Sequence, residues 1–185
     1  VAKRAKDILK NFMGVIMTRE RDVYLTLSQR VAVCNRRKCN SFVSIHFNSA
    51  KSPNATGREL FTTRGQNNSD KLADKIEAHN DLLLPNQRTR RDNSDGDIDK
   101  EANFYVIRHA DCAAVLVEGE FIHTDHGSKW IALDSNRQKM AEAIAYGVMD
   151  FHCIAYNSNP SAPVDDSAQK TIEERVARIE KHLNL

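Results

Sequence analysis

The feature that most constrains the fold is the alternation of short β-rich segments with helical segments along the chain. Residues 42–48 form a β-rich run between polar turn residues, and residues 113–121 form a second run with a continuous apolar start. An apolar start of this kind is typical of a central strand covered on both faces. The pattern therefore predicts an α/β fold of three layers: a mostly parallel or mixed twisted sheet with helices on both faces.

Further elements follow from periodicity and from helix-capping signals. Thr26 with Gln29, and Ser135 with Gln138, have the spacing of a capping box, so helices are predicted to begin there. Other helices are predicted at residues 1–12 and after Ser69. Additional short strands are predicted at residues 15–17, 59–63 and 104–107. Residues 84–102 form a long polar loop, a feature that is usually functional or mobile in a compact domain.

Composition excludes several classes of protein. The chain has 185 residues, of which 27 are Lys or Arg and 25 are Asp or Glu, for a net charge of +2. This balance argues against a dedicated nucleic-acid binder. No apolar run approaches the roughly 20 residues that span a bilayer. We therefore expect neither nucleic acid nor a membrane as a partner.

The four cysteines form no C-x-x-C pair. We expect mostly reduced, buried thiols, because a chain of this size does not need disulfide staples. A structural zinc held by all four thiolates is the less favoured alternative.

Three regions are predicted along the chain. Residues 1–156 carry the α/β pattern, and residues 157–170 are linker-like, beginning Asn-Ser-Asn-Pro-Ser-Ala-Pro. Residues 171–185 form an amphipathic, coiled-coil-like helix, because four apolar residues step by 4, 3 and 4: Ile172, Val176, Ile179 and Leu183. Two heptads are too short to be stable alone, so this helix packs back on the domain, self-associates or leads to a further module.

Candidate chemistry lies at the ends of the two best-defined strands. Ser44, His46 and Asn48 share one face of their strand, and Glu118 lies near the end of the other. Ligands gather at the C-terminal ends of strands in open α/β sheets. From these residues alone two interpretations stay open: a structural histidine with an ion-paired glutamate, or a catalytic carboxylate raised in pKa by burial.

Several short motifs occur together in a recognisable order. They are Thr18-Arg19-x-x-Asp22, Leu27-x-x-Arg30, Asn35, Ser44-Ile45-His46-x-Asn48, Gly57-x-Glu59 and Val115-Leu116-Val117-Glu118-x-x-Phe121. Over about residues 1–152 the chain resembles the zinc-dependent N-acetylmuramoyl-L-alanine amidases. The resemblance implies hydrolysis of the amide between N-acetylmuramic acid and L-alanine in peptidoglycan.

The resemblance also implies roles for individual residues. His46 is a Zn²⁺ ligand, Glu118 is the catalytic general base, and Asn48 and Arg91 are substrate-binding positions. Peptidoglycan is the expected partner, and a phage endolysin or a bacterial autolysin is the expected kind of enzyme. Such an enzyme is made in the cytoplasm and acts on the cell wall after release through a pore or secretion.

The chain also departs from the family pattern. The family's other two zinc ligands, a histidine and a glutamate, precede the point where this sequence starts, so we expect a missing N-terminal piece and weak zinc binding by these 185 residues. Glu120 stands where the family often has glycine, and repels Glu118 or supports it. The alternative function is a catalytically inactive peptidoglycan-binding or regulatory module with the same fold. His123-x-x-His126 suggests a metal pair, although a solvated turn is the favoured interpretation.

Overall fold

The computed structural model describes residues 1–94 and 96–156. The helices are α1 (Ala2–Leu9), α2 (Leu27–Arg36), α3 (Asn68–Leu83), α4 (Tyr105–Arg108), α5 (Asp125–Ala132) and α6 (Asp134–Phe151). The strands are β1 (Ser41–Asn48), β2 (Glu59–Thr62), β3 (Lys100–Glu101) and β4 (Ala113–Phe121). All of them belong to one compact unit, Val1–Ile154. The predicted linker 157–170 and the predicted helix 171–185 lie outside the described residues.

The strands form a mixed sheet in the order β1-β4-β2-β3. β4 runs parallel to β1 and antiparallel to β2, and β2 runs parallel to β3. The apolar start of β4 is explained by this position, because Val115 and Val117 are buried inside the sheet's central strand. The predicted mixed α/β sheet is confirmed.

Helices cover both faces of the sheet. On one face, Val31 of α2 and Val106 and Ile107 of α4 form a core cluster with Ala114 and Leu116 of β4. On the other face, α3 packs along α6, and the apolar side chains between them are fully buried: Leu72, Ile76, Met140 and Ile144. None of the helices in the described ranges is long and apolar enough to cross a membrane.

Two predicted strands are wrong. Residues 15–17 are irregular, and Ile16 is exposed. Residues 104–107 lead into the short helix α4, whose Val106 and Ile107 pack against α2 rather than pairing with a strand. A four-residue apolar run fits either a strand or a buried helical turn, and β4 already has β1 and β2 on its two sides, so packing decided the outcome.

One of the two predicted capping boxes is present. The Thr26 hydroxyl accepts the backbone N–H of Gln29, and the Gln29 side chain accepts the backbone N–H of Thr26. The box predicted at Ser135 is wrong, because α6 begins at Asp134, with only Leu133 between it and the end of α5. The N-cap of α3 is Asn67 rather than Ser69, since the Ser69 hydroxyl accepts the backbone N–H of Ala114 instead.

Candidate active site

The sheet brings His46 and Glu118 together. β1 and β4 are parallel and in register here, so the two residues are direct partners across the strands. Their side chains share the face on which Ala114 and Leu116 contact α2 and α4, because strand side chains alternate faces. The predicted zinc ligand and the predicted catalytic carboxyl group therefore lie side by side on one face of the sheet.

His46 is half-buried on the outer strand β1. Its Nε2 lies 2.8 Å from the Ser44 hydroxyl. Burial lowers the pKa of His46 below its ordinary value, and the positive charge of Arg30 lowers it further. The imidazole is therefore neutral at pH 7, which is the form that binds metals.

Glu118 has the properties of a group that exchanges protons near neutral pH. Its Oε2 is buried and has no hydrogen-bond partner. Burial raises the pKa of Glu118 to about 7, and the negative charge of Glu59 contributes in the same direction. A carboxyl group in this state can accept a proton and release it again.

Glu59 lies directly across from Glu118 on the antiparallel strand β2. Its carboxylate accepts hydrogen bonds from Arg90 Nε at 2.7 Å, Lys100 Nζ at 2.7 Å and Asn48 Nδ2 at 2.6 Å. Two of these donors are cations, so the carboxylate of Glu59 is well compensated. The Oε2 of Glu118 has no such donor, so the two neighbouring carboxyl groups have different surroundings.

The two predicted substrate-binding residues differ in their position relative to this site. Asn48 follows His46 on β1 and donates to Glu59, so it borders the site. Arg91 instead contacts Asp81 and Glu77 of α3. Its neighbour Arg90 reaches Glu59 and stacks over the Phe121 ring, with 5.4 Å between the guanidinium carbon and the ring centroid.

Glu120 is fully buried, and its side chain hydrogen-bonds to Gly57, Thr56 and Gln87 rather than to His46 or Glu118. Its Oε1 accepts the backbone N–H of Gly57 at 2.7 Å. Gly57 adopts a φ of 112°, and a Cβ there would lie 2.7 Å from the Arg88 carbonyl oxygen. Glu120 therefore stabilises a tight turn at Gly57 that only glycine fits. The charge that contributes to the raised pKa of Glu118 is that of Glu59 rather than that of Glu120.

The two histidines that follow β4, His123 and His126, lie in different elements and contact different groups. His123 Nε2 contacts the Ser52 carbonyl oxygen at 2.9 Å, and the exposed His126 lies in the first turn of α5, 3.8 Å from Glu120. His123 lies in the expected exposed turn, whereas His126 lies in a helix capped by the Thr124 hydroxyl, which accepts the Gly127 N–H. In the part of the chain that the structure describes, neither histidine belongs to a group of three metal-ligating side chains.

The chemistry around His46 fits a metal in part. A neutral imidazole and a buried, unpartnered carboxylate oxygen suit a catalytic zinc and its water. Such a zinc takes three protein ligands, and within residues 1–94 and 96–156 no set of three His, Cys, Asp or Glu ligand atoms includes His46. A cavity of about 1040 Å³ lies beside β1, lined by residues that include His46 and Arg30 but not Glu118.

The contacts of Arg90 and Lys100 with Glu59 were not predicted from the sequence. Glu59 appeared in a motif without a role, while Arg90 and Lys100 lie in or beside the long polar loop. The sequence places Glu59 at the start of a β-rich run, and this position does not predict which side chains contact it. The cations that contact it arrive from residues 31 and 41 positions away, and such contacts have no local pattern.

Comparison with known proteins identifies the domain. The family model for N-acetylmuramoyl-L-alanine amidase matches residues 1–150. The catalytic domain of CwlV, an N-acetylmuramoyl-L-alanine amidase from Bacillus (Paenibacillus) polymyxa var. colistinus, superposes with a TM-score of 0.71 at 28% identity, covering 83% of this chain and 82% of that one.

Two curated relatives extend the comparison. The chain is 30% identical to N-acetylmuramoyl-L-alanine amidase AmiC of Neisseria meningitidis serogroup B, covering 82% of this chain and 45% of AmiC. It is 27% identical to the endolysin of Bacillus phage SPP1, covering 88% of this chain and 59% of the endolysin. The chain thus spans about half the length of these relatives. With the family model matched over most of its length, the chain belongs to the N-acetylmuramoyl-L-alanine amidase family.

Proposed function

We propose that this chain is a peptidoglycan hydrolase that cleaves the amide between the lactyl group of N-acetylmuramic acid and L-alanine. The observation that carries the proposal is Glu118, a half-buried residue whose Oε2 is buried and unpartnered and which pairs in register with His46. This pair supplies one metal-binding imidazole and one proton-exchanging carboxyl group. Membership of the family supports the same reaction.

Glu118 is the proposed general base and general acid. Because its pKa is raised to about 7, it accepts a proton from the attacking water and then donates it to the departing amine of L-alanine. An amine leaves poorly as an anion, so this second transfer matters for turnover more than for binding. Burial is the main cause of this raised pKa, and the negative charge of Glu59, which Arg90 and Lys100 contact, adds to it.

His46 is the proposed zinc ligand, in its neutral form. Zinc bound there would polarise the scissile carbonyl and lower the pKa of its water. The described residues bring a single imidazole to this place, so His46 is proposed as one of the three protein ligands that a catalytic zinc takes.

Substrate contacts are proposed at Asn48 and Arg91. Asn48 donates a hydrogen bond to Glu59, the cross-strand neighbour of Glu118. We propose that its side-chain amide hydrogen-bonds to a peptide group of the substrate. Arg91 is exposed and contacts Asp81 of α3, and we propose that it contacts the more distant part of the peptidoglycan strand. Peptidoglycan is the proposed partner, and the cell wall, reached through a pore or by secretion, is the proposed place of action.

Product analysis tests this function. The full chain is incubated with purified peptidoglycan and ZnCl₂, and the new chemical ends are measured. Amide hydrolysis releases amino-terminal L-alanine without new reducing sugars. New reducing sugars would instead indicate a glycosidase. Binding to the wall without any release would indicate the inactive module.

A further inference from the structure

Three carboxylates converge beside Thr62, the last residue of β2. Asp70 belongs to the first turn of α3, and Asp97 and Asp99 belong to the segment that leads into β3. One carboxylate oxygen of each lies within 4.8 Å of the other two. The Thr62 hydroxyl lies 2.6 Å from Asp99 Oδ2 and 3.0 Å from Asp70 Oδ1, and its single proton serves one of them.

Asp99 is buried deeply without full compensation. Only 1% of the surface of Asp99 is exposed, yet the Oδ1 of its side chain has no hydrogen-bond partner. Burial raises the pKa of Asp99 to about 7; the Thr62 hydrogen bond opposes this, and the charges of Asp97 and Asp70 add to it. A buried, unsatisfied carboxylate oxygen among like charges is costly unless a cation or a proton neutralises it.

We propose that Asp70, Asp97 and Asp99 form a calcium-binding site that joins the segment before β3 to the first turn of α3. All the donors are oxygens, which suit calcium or magnesium rather than zinc. Three carboxylates from two separate parts of the chain favour calcium, because it takes six to eight oxygens in flexible geometry, including backbone carbonyls and water. Magnesium in proteins is usually bound through one or two carboxylates and keeps several waters.

The site is connected to the chemistry of the sheet. Lys100 directly follows Asp99, and its ammonium group contacts Glu59, the neighbour of Glu118. β3, which contains Lys100, pairs with β2 at Phe61 and Thr62. Calcium would therefore hold the strand that presents Lys100, although its binding is independent of hydrolysis and of zinc.

Calorimetry with the full chain tests the proposal. After dialysis against EGTA, CaCl₂ is titrated at about pH 7.5, and MgCl₂ is titrated in parallel. We expect one saturable calcium site with tighter binding than magnesium, and a rise in melting temperature of about 5–10 °C at 100 times Kd. D97N and D99N should lose at least tenfold in calcium affinity. D92N should bind like the parent, because Asp92 is exposed in the same segment and contacts only Ser94 among the described residues.

Three results would overturn the site. One is the absence of saturable calcium heat and of any melting shift up to about 10 mM CaCl₂, beyond the millimolar Kd of weak extracellular calcium modules. The second is unchanged calcium binding by both D97N and D99N. The third is tighter binding of magnesium than of calcium. Asp97 is half-buried, so D97N answers the question even where the buried change D99N impairs folding.

Discussion

At the scale of single residues, two neighbouring glutamates have different surroundings. Glu59 accepts hydrogen bonds from two cationic side chains, whereas burial and the negative charge of Glu59 raise the pKa of Glu118. The proximity of His46 and Glu118 was predictable, since both occupy ends of clear strands. The cations around Glu59 were not, because the path of residues 84–102 depends on tertiary contacts.

The raised pKa of Glu118 makes a prediction about stability. The folded state keeps this proton up to about pH 7, whereas the unfolded chain releases it near pH 4.5. Between these values the folded state binds more protons, so Glu118 makes the free energy of unfolding fall as pH rises. E118Q removes this dependence. Urea denaturation at several pH values should therefore show E118Q gaining stability relative to the parent from about pH 4.5 to 7. The exposed change E101Q is the control, and a pH-independent difference for E118Q would refute the raised pKa.

His46 makes a prediction about metal binding. Mutation of a residue that only hydrogen-bonds to a metal ligand lowers metal affinity by about tenfold or more. Removal of the ligand His46 itself should lower zinc affinity at least as much. Titration of ZnCl₂ into H46A and into the parent measures the difference. H109A is the control, because His109 is exposed and contacts Arg108 and Tyr105. Equal zinc affinity of H46A and the parent would remove His46 from the ligand set.

At the scale of elements, the close packing of α3 on α6 depends on Gly147. A Cβ at this position would lie 2.5 Å from the Ile76 Cα, which is backbone and cannot move aside cheaply. A helix in this region was predicted from the sequence, and α6 buries Met140, Ile144 and Val148. The identity of short apolar runs was not evident: residues 104–107 became a helix because Val106 and Ile107 fill the space beside α2.

Gly147→Ala should therefore destabilise the protein, although alanine is the better helix former. The clash should cost about 1–3 kcal/mol, which exceeds the gain of up to about 1 kcal/mol in helix propensity. Gly14→Ala is the matched control, because nothing lies within 4 Å of a Cβ there, and it should change stability by less than about 0.5 kcal/mol. Chemical denaturation compares the two. Equal stability of G147A and G14A would show that the helices separate without penalty.

At the scale of the whole molecule, the mixed sheet is what assembles the site. β4 lies between β1 and β2, so a parallel neighbour supplies His46 and an antiparallel neighbour supplies Glu59 to the same residue, Glu118. Alternation along the sequence predicted the layers and the mixed sheet. It could not predict the strand order, because pairing of β4 with both neighbours depends on contacts far apart in the chain.

The central claim is that Glu118 performs proton transfer in amide hydrolysis. The most direct measurement is the rate at which amino-terminal L-alanine appears from purified peptidoglycan, compared between the parent chain and E118Q at equal zinc concentration. We predict a loss of at least about 10²–10⁴-fold in E118Q, with zinc binding and folding retained, because the variant keeps the shape of the side chain but cannot accept the proton. Hydrolysis by E118Q at the rate of the parent would contradict the account.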